Sequence, residues 1–408
     1  MSPRRVANVA GAATPATHPA ERNPFTPGAG YPPPFLAGRT DTLSAFERHL
    51  QSARRVPKHF VITGLRGTGK TVLLREFQRL LTDHGWLWAA RELDESANDT
   101  RVLMQAVSTD LLKIGTSASL ALRLRETGRR VVDTLKPRDI EAWGVRYEPA
   151  YANDRNEPAR DVLKRSLIDL VQLVRQSHAG VALVYDEFHE IWDGRKPRQT
   201  PLATFFGAIK EVQVQSGGVI VVASGLPSLV PNIVRSRSYL ERDLNVSRID
   251  HLAAADARAA ITVPLSRSAI TFTNDLVDRI VEETRGYPYF IQAYSSFLID
   301  SVPWRTRLDL RVFREIRPLL LVDLDESFFG PRFQKLAHTE RELLLAVARV
   351  GESARYSQLR WSGKRDLLRA TVARLVERGH LYRRSAQAEV AFTLPLYRDF
   401  LMRIAGEA

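Results

Sequence analysis

Three glycines surround a lysine–threonine pair in VITGLRGTGKTVLLREF, residues 61–77. The spacing fits an eight-position phosphate-binding loop. Glycine lets the backbone turn its N–H groups inward around an anion, because no Cβ blocks the required dihedral angles. The lysine amine can then reach β- and γ-phosphates, and the threonine hydroxyl can bind Mg²⁺. The predicted nucleotide contacts are Gly64, Leu65, Arg66, Gly67, Thr68, Gly69, Lys70, Thr71 and Val72.

A second motif supplies the carboxylates that such a site needs. In VALVYDEFHE, residues 181–190, an apolar run ends in two adjacent acids. Asp186 is predicted to hold Mg²⁺, and Glu187 to polarise the attacking water. The alternative is a strand that simply ends in polar residues, but two acids after an apolar run favour the catalytic interpretation. His189 and Glu190 lack the H-E-x-x-H spacing of a zinc site and are expected at the surface.

A third apolar run, residues 219–223, ends at Ser224. Ligands bind outside the carboxyl ends of the strands in a parallel sheet. A hydroxyl at this position could orient the water near the γ-phosphate. The alternative is a small residue that begins the turn GLP.

Composition limits the class of protein. The chain has 408 residues, of which 44% are hydrophobic and 26% charged, which suits a soluble protein of two or three domains. No cysteine is present, so disulfides, thiolate metal sites and cysteine nucleophiles are excluded. No apolar run reaches the roughly 18–20 residues of a membrane span, and no membrane partner is expected. Residues 1–25 lack the apolar centre of a signal peptide, so we expect a cytoplasmic location.

Apolar runs alternate with amphipathic segments, which predicts an α/β fold with a mostly parallel, doubly wound sheet of the P-loop NTPase type. Strands are expected at 59–63, within 85–94, within 126–158, and in the runs 180–191 and 217–229. Helices are expected at 69–84, 100–115 and 159–178. The predicted organisation is a disordered tail over 1–34, an ATPase core over 35–250, a helical lid over 251–331 and a winged-helix domain over 332–408.

Four separated segments resemble the AAA+ ATPases: GLRGTGKT, LVYDE, the strand ending ASGLP, and the helical stretch RGYPYFIQAY. The strongest likeness is to the branch that contains origin-recognition initiators and STAND signalling ATPases. The segment FLAGRTDTL resembles the Gly-Arg segment of that branch, which implies that Gly38 and Arg39 lie near the base. The turn after Gly286 resembles the STAND Gly-x-Pro turn, which implies that Pro288 lies beside the nucleotide.

The resemblance departs from the initiators in the lid. Initiators carry a sensor arginine a few residues beyond the lid glycine, where this chain has Tyr287, Pro288 and Tyr289. Arg285 precedes the turn. This departure favours the STAND side of the branch.

An arginine finger from a neighbouring copy would stabilise charge in the transition state. The segment VRSRSYLERDL offers Arg235, Arg237 and Arg242, of which Arg242 is the predicted finger. The alternative for this residue is a salt-bridged surface arginine. A finger in trans would imply a nucleotide-dependent homo-oligomer.

The C-terminal segment is basic: residues 332–408 contain 15 Lys or Arg and 8 Asp or Glu, within a chain of net charge +13. Such a patch favours duplex DNA. In a winged helix, the helix KRDLLRATVARLVERGH would enter the major groove and the following hairpin would touch phosphates. The alternative is a winged helix that contacts a protein or holds the ATPase domain shut. The predicted nucleic-acid contacts are Lys364, Arg365, Arg369, Arg374, Arg383 and Arg384.

These observations predict an AAA+ ATPase that hydrolyses ATP with Mg²⁺ to ADP and phosphate. The nucleotide state would control the basic winged helix, on duplex DNA. The alternative is a STAND-like nucleotide switch that hydrolyses little ATP and whose winged helix contacts a protein partner.

Overall fold

The computed structural model describes residues 23–28, 30–115, 159–175, 177–194, 199–303, 305–362, 365–385 and 389–407. The strand expected within 126–158 lies outside the described residues, and so does Lys364. None of the helices in the described ranges combines the length and apolar character that crossing a bilayer requires.

The centre of the fold is a five-stranded sheet in the order β2-β3-β4-β1-β5, in which every pairing is parallel. The predicted α/β class and parallel sheet are therefore confirmed. Strands β1, β3 and β4 are buried along their whole length because helices cover both faces. The strands are β1 His59–Thr63, β2 Trp86–Glu92, β3 Gly180–Asp186, β4 Val219–Gly225 and β5 Leu244–Arg248.

Two apolar layers sandwich this sheet. On one face Phe46 and Phe77, from the first two helices, stack with ring centroids 3.9 Å apart against Phe60 of β1. On the other face the remaining flanking helices form a second apolar layer, which includes Phe205 and Phe206. The flanking helices are α1 Thr40–Ala53, α2 Lys70–Asp83, α3 Thr100–Gly115, α4 Ala159–Val174, α5 Pro201–Gln215, α6 Leu229–Ser236 and α7 Leu240–Asp243.

A helical unit, here called the lid, follows the sheet. Its helices surround the buried side chains of Phe290, Tyr294 and Phe313. A short parallel pair of strands, β6 and β7, closes one end. The lid elements are α8 Ala254–Leu265, β6 Thr271–Phe272, α9 Asn274–Thr284, α10 Pro288–Ser301, β7 Arg307–Leu308 and α11 Leu310–Leu324.

The C-terminal unit shares one continuous apolar core with the lid, through Phe328, Phe329 and Tyr397. Its three strands form an antiparallel sheet in the order β8-β10-β9. The β9–β10 hairpin lies where the sequence predicts it, whereas β8 was not predicted. The elements are α12 Gly330–Gln334, α13 His338–Val350, β8 Ser353–Arg355, α14 Arg365–Glu377, β9 Leu381–Ser385, β10 Glu389–Phe392 and α15 Tyr397–Ile404.

The N-terminal segment departs from the prediction. Residues 23–28 and 30–36, here called the strap, lie against the lid rather than forming a free tail. Phe25 is buried in the lid core, and Asn23 donates through Nδ2 to Ser296 Oγ at 2.9 Å. The backbone N–H of Thr26 donates to Gln292 Oε1 at 3.3 Å. The predicted disordered tail over 1–34 is therefore wrong for residues 23–28 and 30–34.

Gly286 makes the closest backbone approach between the lid and the segment that follows β5. Its φ is +72°, and a Cβ there would lie 2.2 Å from the Leu252 carbonyl oxygen. The Leu252 N–H also donates to the Gly286 carbonyl at 2.8 Å. Only glycine supplies this dihedral angle without a steric cost.

We expect Gly286→Ala to lower the free energy of unfolding by about 1–3 kcal/mol more than Gly85→Ala does. Gly85 has nearly the same φ, +73°, but its added Cβ would meet nothing within 4 Å. The control variant therefore carries dihedral strain alone. Denaturant unfolding of both variants measures the difference, and equal losses would contradict the contact with Leu252.

Candidate nucleotide-binding site

The glycine loop has the geometry that its sequence predicts. Gly67 and Gly69 have φ angles of +75° and +92°, and α2 begins directly at Lys70. The Lys70 amine donates to the carbonyl oxygens of Gly64 and Leu65 at 3.1 and 2.9 Å, so it is held over the hollow of the loop. Burial lowers the pKa of Lys70, while the nearby carboxylates of Glu187 and Asp186 oppose that shift.

Arg39 stabilises the loop from beneath. This buried guanidinium donates to the carbonyl oxygens of Thr68 at 3.0 Å and Asp250 at 2.9 Å, joining the loop to the segment after β5. Gly38 precedes it at φ +63°, where a Cβ would approach the Asp256 carboxylate to 2.8 Å. Arg39 lines the cavity, and Gly38 sets the close approach of α1 to the lid. Their predicted contact with the base stays a prediction.

Asp186 is the centre of the site. Its Oδ2 accepts a hydrogen bond from the Thr71 hydroxyl at 2.6 Å, and its Oδ1 accepts from the Glu187 N–H at 2.9 Å. The Ser224 hydroxyl also donates to Oδ1. Strand β3, strand β4 and the first turn of α2 therefore converge on one carboxylate.

Ser224 does not have the predicted orientation. Its side chain is fully buried and its hydroxyl points at Asp186 rather than into the cavity. The rule that polar residues gather at strand ends placed it correctly but did not give its direction. Ser224 is therefore a positioning residue for the carboxylate, and its predicted role of orienting a water is not supported.

Glu187 has a left-handed backbone with φ +52°, an uncommon conformation for a residue with a side chain. This turn brings its carboxylate to the cavity wall, where Oε2 is buried without a hydrogen-bond partner among the described residues. Burial raises the pKa of Glu187; the Lys70 charge opposes the shift and the Asp186 charge adds to it. A carboxylate at the cavity wall can accept a proton from water.

His189 lies beside Glu187 and not at the surface, contrary to expectation. Its Nδ1 lies 3.2 Å from Glu187 Oε2 and its Nε2 lies 3.3 Å from Glu190 Oε1. Burial lowers the pKa of His189 to about 4, aided by the charges of Arg66 and Lys70. A neutral imidazole therefore separates the two carboxylates at neutral pH.

A cavity of about 1600 Å³ opens above the loop. Residues 66–72 form its floor. The strap and Arg39 wall one side, and Pro288, Tyr289 and Gln292 of the lid wall another. The C-terminal unit forms a third side with the end of α14 and with Gly379, His380 and Arg383. Pro288 lines this cavity, and its predicted place beside a nucleotide stays a prediction.

Tyr287 joins the lid to the loop and was not predicted as a site residue. Its buried hydroxyl donates to the Arg66 carbonyl oxygen, and a Cβ on Gly67 would collide with its ring. No phosphate-binding motif includes this tyrosine, although its place within the Gly-x-Pro turn was a signal. Arg285, before the turn, is exposed and pairs with Glu352 at 3.0 Å instead.

The three candidate finger arginines occupy different surroundings. Arg242 is exposed and does not line the cavity, so it can reach a phosphate only from a second copy of the chain. Arg237 donates to the Ala203 carbonyl oxygen at 3.4 Å. Arg235, on α6, lines the cavity within its own chain.

The predicted nucleic-acid residues do not form one free face. Arg374 lines the cavity and donates to Glu340 Oε1 at 3.0 Å, and Arg383 also lines the cavity. Arg369 is exposed, and Arg384 is exposed with Glu389 at 3.8 Å. The Arg365 side chain lies outside the described residues, as does Lys364. The shared exposed surface is therefore smaller than predicted.

The residues present fit a magnesium–nucleotide complex. The Thr71 hydroxyl and the Asp186 carboxylate form an oxygen donor set of the kind that Mg²⁺ prefers. The loop amides, the Lys70 amine and the positive end of the α2 dipole favour phosphate beside it. The Glu187 side chain lines the same cavity.

Fold and loop together define an α/β domain with a parallel central sheet and a P-loop sequence motif. Residues 36–222 match the family described as AAA ATPase domain, and residues 326–401 match a domain of unknown function, DUF8462. The ORC2 protein of Aeropyrum pernix is similar in structure with a TM-score of 0.57 and 13% identity, over 93% of this chain and 96% of that one. The Walker-type ATPase PABY2304 of Pyrococcus abyssi is similar in structure with a TM-score of 0.54 and 14% identity, over 90% of this chain and 96% of that one. Comparison with curated proteins found no match.

We expect Ser224→Ala to raise the Mg²⁺ concentration needed for tight ATP binding by about tenfold, because Asp186 loses a donor that orients it. Magnesium titration at fixed ATP, followed by calorimetry, measures the change. Ser166→Ala is the matched control, since this buried hydroxyl donates to the Val162 carbonyl within α4. An unchanged Mg²⁺ requirement in Ser224→Ala would contradict the positioning role.

Proposed function

We propose that the chain binds Mg·ATP in this cavity, hydrolyses it, and uses the nucleotide state to control the position of its C-terminal unit. One observation carries the proposal: the phosphate loop and the C-terminal unit wall the same cavity. Whatever occupies the cavity therefore contacts both. The similarity of residues 36–222 to an AAA ATPase domain supports the nucleotide part.

Each site residue has a role in the proposed reaction. The Lys70 amine and the loop amides neutralise the β- and γ-phosphates. Thr71 and Asp186 would hold Mg²⁺, which when bound supplies positive charge to the phosphate oxygens. The Glu187 carboxylate accepts a proton from the attacking water while the water oxygen bonds to the γ-phosphorus. The bond between the γ-phosphorus and the β–γ bridging oxygen breaks, and ADP leaves as phosphate forms. Arg242 would act on the site of a neighbouring copy, if the chain assembles.

The C-terminal unit, which we propose to be a winged helix, is restrained at several points. Arg403 pairs with Asp325 at 2.6 Å and Arg285 pairs with Glu352 at 3.0 Å, both across the lid boundary. Exposed or half-exposed pairs such as these contribute little each. Because the lid and this unit also share one apolar core, a change in the phosphates beneath α14 would move the two together.

Duplex DNA is the proposed partner of the C-terminal unit, because Arg369, Arg384 and the basic hairpin remain available to phosphates.

A protein partner is the second candidate, and a specific observation favours it. Glu340, almost fully buried, accepts from Arg374 and Arg378, so two arginines of the supposed DNA-reading helix are already neutralised.

We expect Lys70→Ala to weaken ATP and ADP binding by about 100-fold or more, since it removes the ammonium charge that contacts the phosphates. Calorimetry measures this loss of affinity.

We expect Glu187→Gln to retain ATP binding and to lose about 100-fold or more of turnover. Calorimetry measures the binding, and phosphate release measures the turnover.

Glu190→Gln is the matched control for Glu187→Gln, because Glu190 also lines the cavity and also contacts His189. Its turnover should change by less than about threefold. If the unaltered chain bound neither nucleotide, the proposal would be wrong. If Glu187→Gln and Glu190→Gln turned over ATP equally, the general-base role would be wrong.

We expect the full chain to bind duplex DNA with an affinity that falls as salt rises and differs between ATP and ADP. Arg369→Glu should weaken binding and lower the salt slope by about one unit. Arg311→Glu, at an exposed arginine of lid helix α11, is the control. Salt-insensitive or undetectable binding in both nucleotide states would exclude DNA and favour the protein partner.

A further inference from the structure

Glu187, His189 and Glu190 form a cluster of metal-binding side chains in the turn that follows β3. One ligand atom from each lies within 4.8 Å of the other two, and the described part of the chain holds no second cluster of this kind. The spacing H-E-x-x-H, which the sequence lacks here, presents its ligands from an α-helix. This chain forms a tight turn instead, so ligands two and three residues apart are brought together.

The turn places the three side chains on one wall. Glu187 has a left-handed backbone, and the Glu190 N–H donates to the Glu187 carbonyl oxygen at 3.0 Å, which closes a turn of 3₁₀ helix. Phe188 is fully buried and stacks with Tyr185 at a centroid distance of 5.7 Å. Because Phe188 anchors the turn in the core, the three cluster residues lie together at the cavity.

The His189 ring has little room to move. Its side chain is only 5% exposed. Gly225, at the end of β4, lies close behind it: a Cβ on Gly225 would be 3.1 Å from both the Cβ and the backbone nitrogen of His189. Packing against β4 therefore limits the imidazole to a position beside the carboxylates.

Two facing atoms of the cluster lack hydrogen bonds. His189 Nδ1 and Glu187 Oε2 lie 3.2 Å apart, and both are buried without a hydrogen-bond partner among the described residues. Their separation is short enough for a hydrogen bond, but the geometry is not that of one. Buried polar atoms are almost always satisfied by a hydrogen bond or an ion. A cation between the two atoms would satisfy both.

The spacing of the cluster suits a divalent transition metal. Zinc binds imidazole nitrogen and carboxylate oxygen at about 2.0–2.2 Å in a tetrahedral arrangement, so neighbouring ligand atoms lie about 3.4 Å apart. The distance of 3.2 Å between His189 Nδ1 and Glu187 Oε2 is close to this value. Glu190 supplies a third ligand, and water from the cavity would supply the fourth.

The imidazole distinguishes this cluster from the residues that fit magnesium. Thr71 and Asp186 offer oxygen ligands, which suit Mg²⁺. A nitrogen ligand favours Zn²⁺ over Mg²⁺, which is a harder cation and gives up its water reluctantly. The two sites are adjacent, since Asp186 and Glu187 are consecutive residues, but their donor atoms select different metals.

We propose that Glu187, His189 and Glu190 bind a zinc ion that blocks ATP hydrolysis. The metal engages the carboxylate that the proposed reaction uses to accept a proton from water. Lys70 and the glycine loop stay free to bind phosphate, so the zinc-loaded chain binds ATP without turning it over. The zinc site is independent of the proposed function, whereas the block rests on it.

Zinc titration of the full chain without nucleotide tests the site. Excess Mg²⁺ is present throughout to fill the oxygen site, and a chromophoric chelator of known zinc affinity reports free Zn²⁺. We expect one Zn²⁺ to bind at micromolar or lower concentrations. His189→Gln and Glu190→Gln should each weaken it about tenfold or more. Glu190→Gln leaves the buried ring in place, so it tests the site even if His189→Gln does not fold.

His338→Gln is the matched control, because His338 lies 3.8 Å from Glu342 on the exposed surface of α13 and offers a histidine–carboxylate pair outside the cavity. Its zinc affinity should equal that of the unaltered chain. The site would be refuted by an absence of zinc binding, or by full zinc affinity in Glu190→Gln. An equal loss in His338→Gln would show adventitious binding at surface histidines and would also refute it.

Phosphate release at saturating Mg·ATP, with free Zn²⁺ set by a chelator buffer, tests the block. We expect saturating zinc to lower the turnover of the unaltered chain about tenfold or more while ATP affinity stays unchanged. Relative to its own zinc-free rate, Glu190→Gln should need about tenfold more zinc for half-inhibition. Zinc that binds without slowing turnover would refute the block alone. A chain that bound ATP but never hydrolysed it, even without zinc, would refute the proposed hydrolysis and the block together, and the titration would still decide the site.

Discussion

The buried carboxylate of Asp186 is the interaction on which the rest of the site depends. It lies at the end of β3 and accepts hydrogen bonds from Thr71 of α2 and Ser224 of β4. An ionised carboxylate is expensive to bury unless donors surround it. The three elements therefore satisfy one another only in this arrangement, which fixes the glycine loop against the sheet.

The parts of the fold that the sequence predicted are those with one dominant physical signal. Strands β1, β3 and β4 are covered on both faces, so each is a continuous apolar segment that the sequence alone identifies as a buried strand. Strand β5 was missed because its burial is only partial and its residues, LNVSR, carry no apolar run. The strap was missed because a single buried residue, Phe25, anchors a segment whose proline content suggests disorder. Local composition cannot show a contact with a helix some 270 positions away.

The site residues also fall into those that the sequence predicts and those that it does not. The glycine loop and the acidic pair were predictable because their chemistry is encoded in consecutive residues. Ser224 was placed correctly but given the wrong role, since strand ends reveal position and not orientation. Tyr287 could not be assigned because its contact, a hydroxyl at a loop carbonyl oxygen, arises from tertiary packing. The exposed basic surface of the C-terminal unit is smaller than predicted because Glu340 pairs with Arg374.

The strap links two parts of the molecule that must move relative to each other if the cavity opens. It is anchored to lid helix α10 through Ser296 and Gln292, while Gly30 approaches the Thr71 methyl group at the start of α2. Lid rotation would therefore withdraw one wall of the pocket in the same motion that separates the lid from the phosphates. A protease that cut the chain near residue 36 would leave the sheet and its acidic pair whole, yet it would break the covalent link between that wall and the sheet. The strap would then be held only by the buried side chain of Phe25 and by its hydrogen bonds to α10.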